Sequence, residues 1–170
     1  MANQFSKDEE LQLIVFKLAT EEYTVPITCV QEIIMPQKPV KLPKSPSFVE
    51  GVINLRGKII PIIDGRKKFG METSEATNDT RIMVLEFDLH TIGVIVDSVS
   101  EVIYVNTNEI EKSPMAEEDT VDFIQGICKY KNRLLILIDG EKVLNTHEIE
   151  SIKQTAAMAK NISSIANQMA

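Results

Sequence analysis

The sequence predicts an all-β protein: a pair of small β-barrels around one core, followed by a C-terminal α-helix. Three observations carry this. The chain repeats itself, since Gln12–Ile34 matches Arg81–Ile103 without a gap at an offset of 69, and Phe48–Phe69 matches Phe123–Leu144 at an offset of 75. Both copies consist of short β-rich runs separated by turn residues, at the spacing of small barrels. From Asn145 onward the pattern changes: Ile149, Ile152, Ala156, Ala159, Ile162, Ala166 and Met169 recur at helical spacing with no Gly or Pro between them, one stripe of an amphipathic helix.

Literal identities between the copies are few, but apolar positions run in step, and Val30/Val99, Glu32/Glu101, Gly51/Gly126, Asp64/Asp139 and Gly65/Gly140 coincide. Repetition of this length means two copies of one structural unit. A unit of roughly 65–70 residues buries too little surface to be stable alone, so a single folding unit with a core shared between the copies is expected.

Within copy one, Leu11–Leu18 and Tyr23–Ile27 read as a hairpin around Ala19-Thr20-Glu21-Glu22, and Val30–Met35 as a third strand. Pro36 closes that strand because it cannot donate to a ladder. Prolines at 36, 39, 43 and 46 hold the next stretch as an extended loop. Val52–Asn54 and Lys58–Ile63 then flank Leu55-Arg56-Gly57, a second hairpin with Gly57 free to take a positive φ. Ile59-Ile60-Pro61-Ile62-Ile63 is apolar on both faces, as a strand wedged between two layers would be, with Pro61 marking an edge or bulge. Polar Met71–Thr80 is the seam between repeats.

Copy two repeats the order with a longer loop, 19 residues at Tyr104–Asp122 against 13 at Met35–Ser47. The expected organisation is therefore a disordered N-terminus (1–10), copy one (about 11–78), copy two (about 79–144) and a helical tail (145–170), with Asn145 and Glu148 resembling a capping pair.

Composition removes several functional classes. At 44% hydrophobic and 25% charged the chain is that of a globular protein. A net charge of −7 and no basic run longer than Arg66-Lys67-Lys68 argue against binding nucleic acid or anionic membrane, which needs basic stripes. Two cysteines without a CxxC pair, and two histidines, leave no metal site of the usual kind, and no cofactor motif is present. Cys29 and Cys128 lie in apolar runs and read as buried free thiols. Met1–Glu10 lacks the apolar stretch of a signal peptide, and no run approaches the ~20 residues of a membrane span. A cytoplasmic, soluble protein is expected.

Two constellations deserve weighing as chemistry. The repeated Ile63-Asp64-Gly65 and Ile138-Asp139-Gly140 suggest a carboxylate pair across a pseudo-two-fold, as in a two-barrel aspartate-dependent hydrolase. The motif lacks the Ser or Thr between Asp and Gly that orients such carboxylates, and an N-cap role explains both copies. The second constellation is Glu32 on one strand and Arg56 at a nearby hairpin tip, positioned to pair. Glu101 repeats Glu32, but Lys131 and Asn132 stand where Arg56 and Gly57 stand in copy one, so only one copy carries the full pair. A chain without catalytic apparatus reads as a binding module.

Gly51-Val52-Ile53-Asn54-Leu55-Arg56-Gly57-Lys58-Ile59-Ile60-Pro61-Ile62-Ile63-Asp64 closely resembles the signature of the CheW family of bacterial chemotaxis. Tyr23 with Val30-Gln31-Glu32-Ile33, the segment around Val96-Asp97-Ser98-Val99, and Gly126 with Leu134–Asp139 match it in the same order. One position departs, because Gly65 stands where the family usually has Leu. The resemblance implies two five-stranded, SH3-like barrels around a common core and a non-enzymatic adaptor. It implies as partners the histidine kinase CheA, through its CheW-like regulatory domain, and the cytoplasmic tips of methyl-accepting chemoreceptors, with recruitment to membrane-associated arrays. The receptor-binding face it points to is Glu32, Ile33, Asn54, Leu55, Arg56 and Ile59, joined by Val99 and Val102 from copy two.

Overall fold

Apolar alternation along the predicted strands becomes eleven strands in two mixed sheets among the residues that the computed structural model describes, namely 9–87, 90–112, 123–144 and 148, 150, 151 and 154. Copy one supplies β1 (Glu10–Leu18), β2 (Glu21–Pro26), β3 (Val30–Ile34), β4 (Val49–Leu55) and β5 (Lys58–Asp64), then a four-residue helical turn, α1 (Gly65–Lys68). Copy two supplies β6 (Arg81–Phe87), β7 (His90–Val96), β8 (Ser98–Asn106), β9 (Ile110–Lys112), β10 (Ile124–Tyr130) and β11 (Arg133–Ile138).

The sheets do not coincide with the copies. A six-stranded sheet has the order β8-β1-β2-β11-β10-β9, and a five-stranded sheet has the order β3-β6-β7-β5-β4. In each, the first hairpin of one copy is inserted between the third strand and the last hairpin of the other. The joints are symmetric: β1·β8 and β3·β6 are antiparallel, β2·β11 and β5·β7 parallel. Side-chain alternation reveals where strands lie but not which strands are neighbours, so the exchange was invisible in the repeat.

The expectation of two five-stranded units is corrected by β9, which makes one sheet six-stranded. It lies in the longer loop of copy two; its counterpart in copy one is a single bridge, Val40 to Val52, closed by two 2.9 Å backbone bonds. That crossing explains the glycine at both positions. Gly51 has φ +143°, and a Cβ there would overlap the Val40 carbonyl, while one on Gly126 would lie 2.7 Å from the Glu111 carbonyl oxygen.

Pro61 is a second correction, since β5 is interior to its sheet. Val52, its partner across β4, directs both its N–H and its C=O to Val40. Antiparallel pairs alternate between bonded and non-bonded, so Val52 asks nothing of Pro61, and the β7 ladder begins only at Ile62.

Alternation divides the core in three. On β1, Leu13 and Val15 enter a cluster private to the six-stranded sheet, with Ile103, Val105, Cys128, Leu135 and Leu137. Ile14, Phe16 and Leu18 face a larger cluster that also receives Met83 and Leu85 from β6. Ile82 and Val84 turn instead into a cluster private to the five-stranded sheet, with Ile53, Ile60 and Ile62. β5 is thus wedged between layers as its sequence predicted, Ile60 and Ile62 on one face and Ile63 on the other. Each such side chain contributes about 1.5–3 kcal/mol by burial.

The expected C-terminal helix is not seen as an element among the described residues: nearly all of 145–170, including Asn145, lies outside them. Glu148 is described and reaches Lys68 at 3.4 Å, whose ammonium also lies 4.3 Å from the centre of the Phe48 ring. Residues 1–8 also lie outside; Glu9 is bonded to Thr107 through its carbonyl at 2.8 Å, and β1 begins at Glu10. Among the described residues no helix is long and apolar enough to cross a membrane.

Candidate functional site

The Ile-Asp-Gly repeats resolve as caps. Asp64 accepts from the backbone N–H of Arg66 at 2.9 Å and of Lys67 at 3.3 Å, starting α1, and Asp139 accepts from Glu141 N–H at 3.1 Å. Both carboxylates are spent on satisfying orphan donors at helical turns. Gly65 is required by packing, because a Cβ there would lie 2.7 Å from the Ile95 carbonyl and 3.0 Å from Leu18 Cδ2. A Leu at this position would displace β7.

Glu32 and Arg56 do meet. Arg56 donates from both terminal nitrogens, at 2.5 and 3.1 Å, to the two carboxylate oxygens of Glu32. The partners come from opposite edges of the five-stranded sheet, Glu32 from β3 and Arg56 from the β4–β5 tip, so the sheet curls until its edges face. Leu55 and Lys58 are the last strand pair, leaving a two-residue turn in which Arg56 has φ +53° and Gly57 φ +85°. Both central residues of a type I′ turn need positive φ, a conformation costly for Arg. Asn54 Oδ1 secures the turn by accepting Gly57 N–H at 2.8 Å. The Arg56 side chain stays 72% exposed while that of Glu32 is 18% exposed, so the turn presents a positioned, accessible cation above a half-buried anion.

Of the other residues assigned to the face, Ile33 is 40% and Val102 46% exposed, apolar surface available to a partner. Leu55 packs against the private cluster of the five-stranded sheet, and Ile59 and Val99 against the shared one. Val99 and Val102 lie on β8, in the other sheet. No hydrogen bond or ion pair among the described residues joins them to the Glu32–Arg56 corner; their link to Ile59 is the shared core that Val99 also borders.

The sequence reading that only copy one holds a charge pair is corrected. Arg133 donates to Glu22 at 2.9 Å and to Glu101 at 3.4 Å. Its position corresponds to Lys58, two beyond that of Arg56, so the strict repeat register does not reveal it. Lys58 itself reaches Thr91 Oγ1 at 2.7 Å, and Thr91 stands where Glu22 stands in copy one. Exposed apolar side chains also recur at matching positions, Ile33 and Met35 in copy one, Val102 and Tyr104 in copy two.

A further cluster was not foreseen. Asp97, between β7 and β8, accepts Arg66 Nε at 2.9 and 3.0 Å, takes a shorter bond from Arg66 Nη2, and accepts Ala19 N–H at 2.7 Å. Burial opposes its charge, but the Arg66 hydrogen bonds, the Ala19 N–H and the Arg66 charge outweigh it and hold the carboxyl below the usual carboxylate range. Its partner lies 31 residues away, beyond any local pattern. Cys128 is fully buried and Cys29 half-buried, and burial pushes both thiols up to about 11, far from a nucleophilic range. No cluster of metal-ligating side chains occurs among the described residues.

This geometry is a scaffold of paired sheets with a structured exposed corner, and known proteins share it. The model of the CheW-like domain family matches residues 12–148. The chain belongs to the CheW family. It is 38% identical to the chemotaxis protein CheW of Bacillus subtilis (strain 168), over 82% of this chain and 90% of that protein, and 33% identical to CheW of Helicobacter pylori, over 84% and 87%. The crystal structure of the scaffolding protein TtCheW from Thermoanaerobacter tengcongensis superposes with a TM-score of 0.76 at 36% identity, covering 82% of this chain and 96% of that one. The chain is a chemotaxis coupling scaffold of the CheW family, a non-enzymatic family.

Proposed function

We propose that this scaffold couples the histidine kinase CheA, through its CheW-like regulatory domain, to the cytoplasmic tips of methyl-accepting chemoreceptors. It acts in the cytoplasm, recruited to membrane-associated arrays. The kinase domain docks barrel against barrel. The reading of the fold as two SH3-like barrels around a common core is supported by the private cluster inside each sheet and the shared cluster between them. The receptor hairpin lies against Glu32, Ile33, Asn54, Leu55, Arg56 and Ile59, with Val99 and Val102 on its far side.

The observation that carries the receptor assignment is the Arg56 turn. A left-handed Arg, in a turn that Asn54 closes through the Gly57 N–H and aimed by Glu32, is a costly conformation for a side chain left 72% exposed. The same left-handed turn recurs at Lys131 and Asn132, so what singles out the Arg56 tip is a cation on the turn itself, paired to Glu32 and open to solvent. Exposed apolar Ile33 follows Glu32 on the edge strand β3, where successive side chains alternate between faces, so it offers apolar surface beside the charged corner from the other face of that edge. Signal then passes as a shift between packings of different contact free energy, not as chemistry.

Calorimetric titration of the chain with the CheA regulatory domain, then with a receptor-tip fragment, tests both contacts. Arg56→Asp should weaken receptor binding by on the order of 1–3 kcal/mol and leave kinase binding and the fold intact. Wild-type receptor affinity in folded Arg56→Asp protein would remove Arg56 from the face.

A further inference from the structure

The loop between β3 and β4 gathers cations in an otherwise acidic chain. From Ile33 to Val49 there is no carboxylate, and Lys38, Lys41 and Lys44 fall three residues apart. Copy two inverts the sign at the same place: Tyr104–Asp122 holds six carboxylates against the single Lys112. The repeats share strands on either side of this loop but not its charge.

The backbone displays these lysines in a fixed row. Prolines at 36, 39 and 43 set their own φ and hold Lys38 and Leu42, which precede two of them, extended. Val40 is bonded through both its N–H and its C=O to Val52 at 2.9 Å, Leu42 is buried, and the Ser45 hydroxyl donates to the Leu42 carbonyl at 3.0 Å. A proline-rich extended chain turns once in three residues, and exposure follows that period. Pro39, Leu42 and Ser45 are half-buried or buried, whereas Lys38, Lys41 and Lys44 are exposed. Lys38 and Lys41 therefore stand about 9 Å apart along the chain axis, and Lys44 continues the row from the turn that Pro43 starts, at φ +59°. Beside Lys41 is a cavity of about 250 Å³, lined also by Ser45, Ser47, Glu50 and Lys67. Glu50 is already paired with Lys67 at 2.6 Å, and the Ser45 hydroxyl with Leu42. The Lys41 ammonium and the Ser47 hydroxyl are the donors left to the cavity, since neither is bonded among the described residues. Nor does Lys38 or Lys44 meet a carboxylate among them.

We infer that this row is a docking site for an acidic segment of a partner protein, an extended peptide that seats one carboxylate at Lys41 and Ser47 and lays others against Lys38 and Lys44. A small anion would meet a single lysine; a linear polyanion spans the row. Among polyanions a polypeptide is the one that fits. The loop has no arginine, and no aromatic residue on which a base could stack. A chain of net charge −7 is also repelled as a whole by nucleic acid and by anionic lipid. Val40, 65% exposed, and exposed Pro43 border the lysines and suit the apolar side chains of a peptide, not a phosphate backbone. Because the fold has already fixed the loop, binding has only the lysine side chains to order. None of these residues belongs to the proposed receptor face, so a defect in one contact leaves the other to be measured separately.

The probe is a fluorescein-labelled oligoglutamate peptide, titrated with the full chain by anisotropy at about 20 mM and about 150 mM salt, the higher salt weakening a contact between exposed charges. Lys38→Gln, Lys41→Gln and Lys44→Gly combined should weaken binding by about tenfold or more. Glycine suits the left-handed position of Lys44, so the loop keeps its shape. The charge-matched control, Lys17→Gln with Lys112→Gln and Lys131→Gln at exposed positions elsewhere, should bind as the wild type does. Carbodiimide coupling of the bound peptide should join its carboxylates to Lys38, Lys41 and Lys44. Absence of binding at low salt overturns the docking site, as does a control that loses as much as the loop variant. A single-stranded oligonucleotide or a phosphatidylserine vesicle held as tightly through the same three lysines overturns the assignment to a peptide.

Discussion

The two hairpin tips, Leu55–Lys58 and Tyr130–Arg133, share a backbone and differ in what they do with charge. Both are two-residue turns with both central residues left-handed, Arg56 and Gly57 in one, Lys131 and Asn132 in the other. In copy one the cation that meets the β3 glutamate sits on the turn itself and projects into solvent. In copy two the cation has moved onto β11, where half-buried Arg133 braces Glu22 and Glu101. Repetition preserved the need for a cation near the third-strand glutamate but not its address. The same element is an outward corner in one half and an internal strut in the other, so equivalent substitutions should not have equivalent effects.

The largest difference is expected where the backbones cross. Gly51→Ala would place a Cβ on the Val40 carbonyl at φ +143°, whereas Gly126→Ala meets the Glu111 carbonyl at 2.7 Å. Backbone cannot yield as a side chain can, so overpacking and strain together should cost about 3 kcal/mol or more at Gly51 and less at Gly126. Urea unfolding of the two variants measures it, and equal losses would mean that the copies cross alike.

Next in size is Asp97, for which copy one has Thr28. Removing a carboxylate that serves Arg66 and Ala19 together should cost about 2 kcal/mol in Asp97→Ala. Because its folded pKa lies below its unfolded one, its contribution is complete above the unfolded value of about 3.9 and is lost as pH falls through the folded value. Stability measured from pH 7 down to pH 3 should therefore fall less steeply in Asp97→Asn than in wild type. Parallel curves would show that the carboxylate's charge is not what binds Arg66.

Much of this was legible from the repeat. Strand positions, the Asp64 caps, the two-faced β5 and the Glu32–Arg56 pairing followed from alternation, cap chemistry and turn residues, which act within a few positions or between signature motifs. The exchange of hairpins, the extra strand β9, the role of Arg133 and the Asp97–Arg66 contact did not. Each is a choice of neighbour made in three dimensions. Pro61 shows the boundary well: from sequence it marks an edge or a bulge, whereas it lies in an interior strand opposite Val52, whose N–H and C=O are taken by Val40.

Arg133 and Arg56 give the direct test of the comparison. Arg133→Ala strips a half-buried brace from two carboxylates and should cost about 1–2 kcal/mol of stability. Arg56→Ala removes one exposed ion pair, and relieves nothing of the turn's left-handed strain, so its cost should stay below about 1 kcal/mol. Partner binding should invert the order, with receptor-tip affinity lost in Arg56→Ala and retained in Arg133→Ala. Thermal unfolding and calorimetry on both variants separate a strut from a contact; a pair of variants that move together on both measurements would erase the distinction.

The smallest effect is expected at Asp64→Asn, and its smallness is the point. Asn caps a helix about as well as Asp, and the Asn carbonyl can accept the same two N–H groups of Arg66 and Lys67. What is lost is a full negative charge at the start of a four-residue turn, a fraction of a kcal/mol. Asp64→Ala, which leaves those donors to water, should cost about 1 kcal/mol, and Asp139→Ala somewhat less, since Asp139 accepts the single Glu141 N–H. The series Asn, then Ala at 139, then Ala at 64 should rank in that order by urea midpoint. Asp64→Asn falling as far as Asp64→Ala would show that charge, not hydrogen bonding, holds α1 to the end of β5.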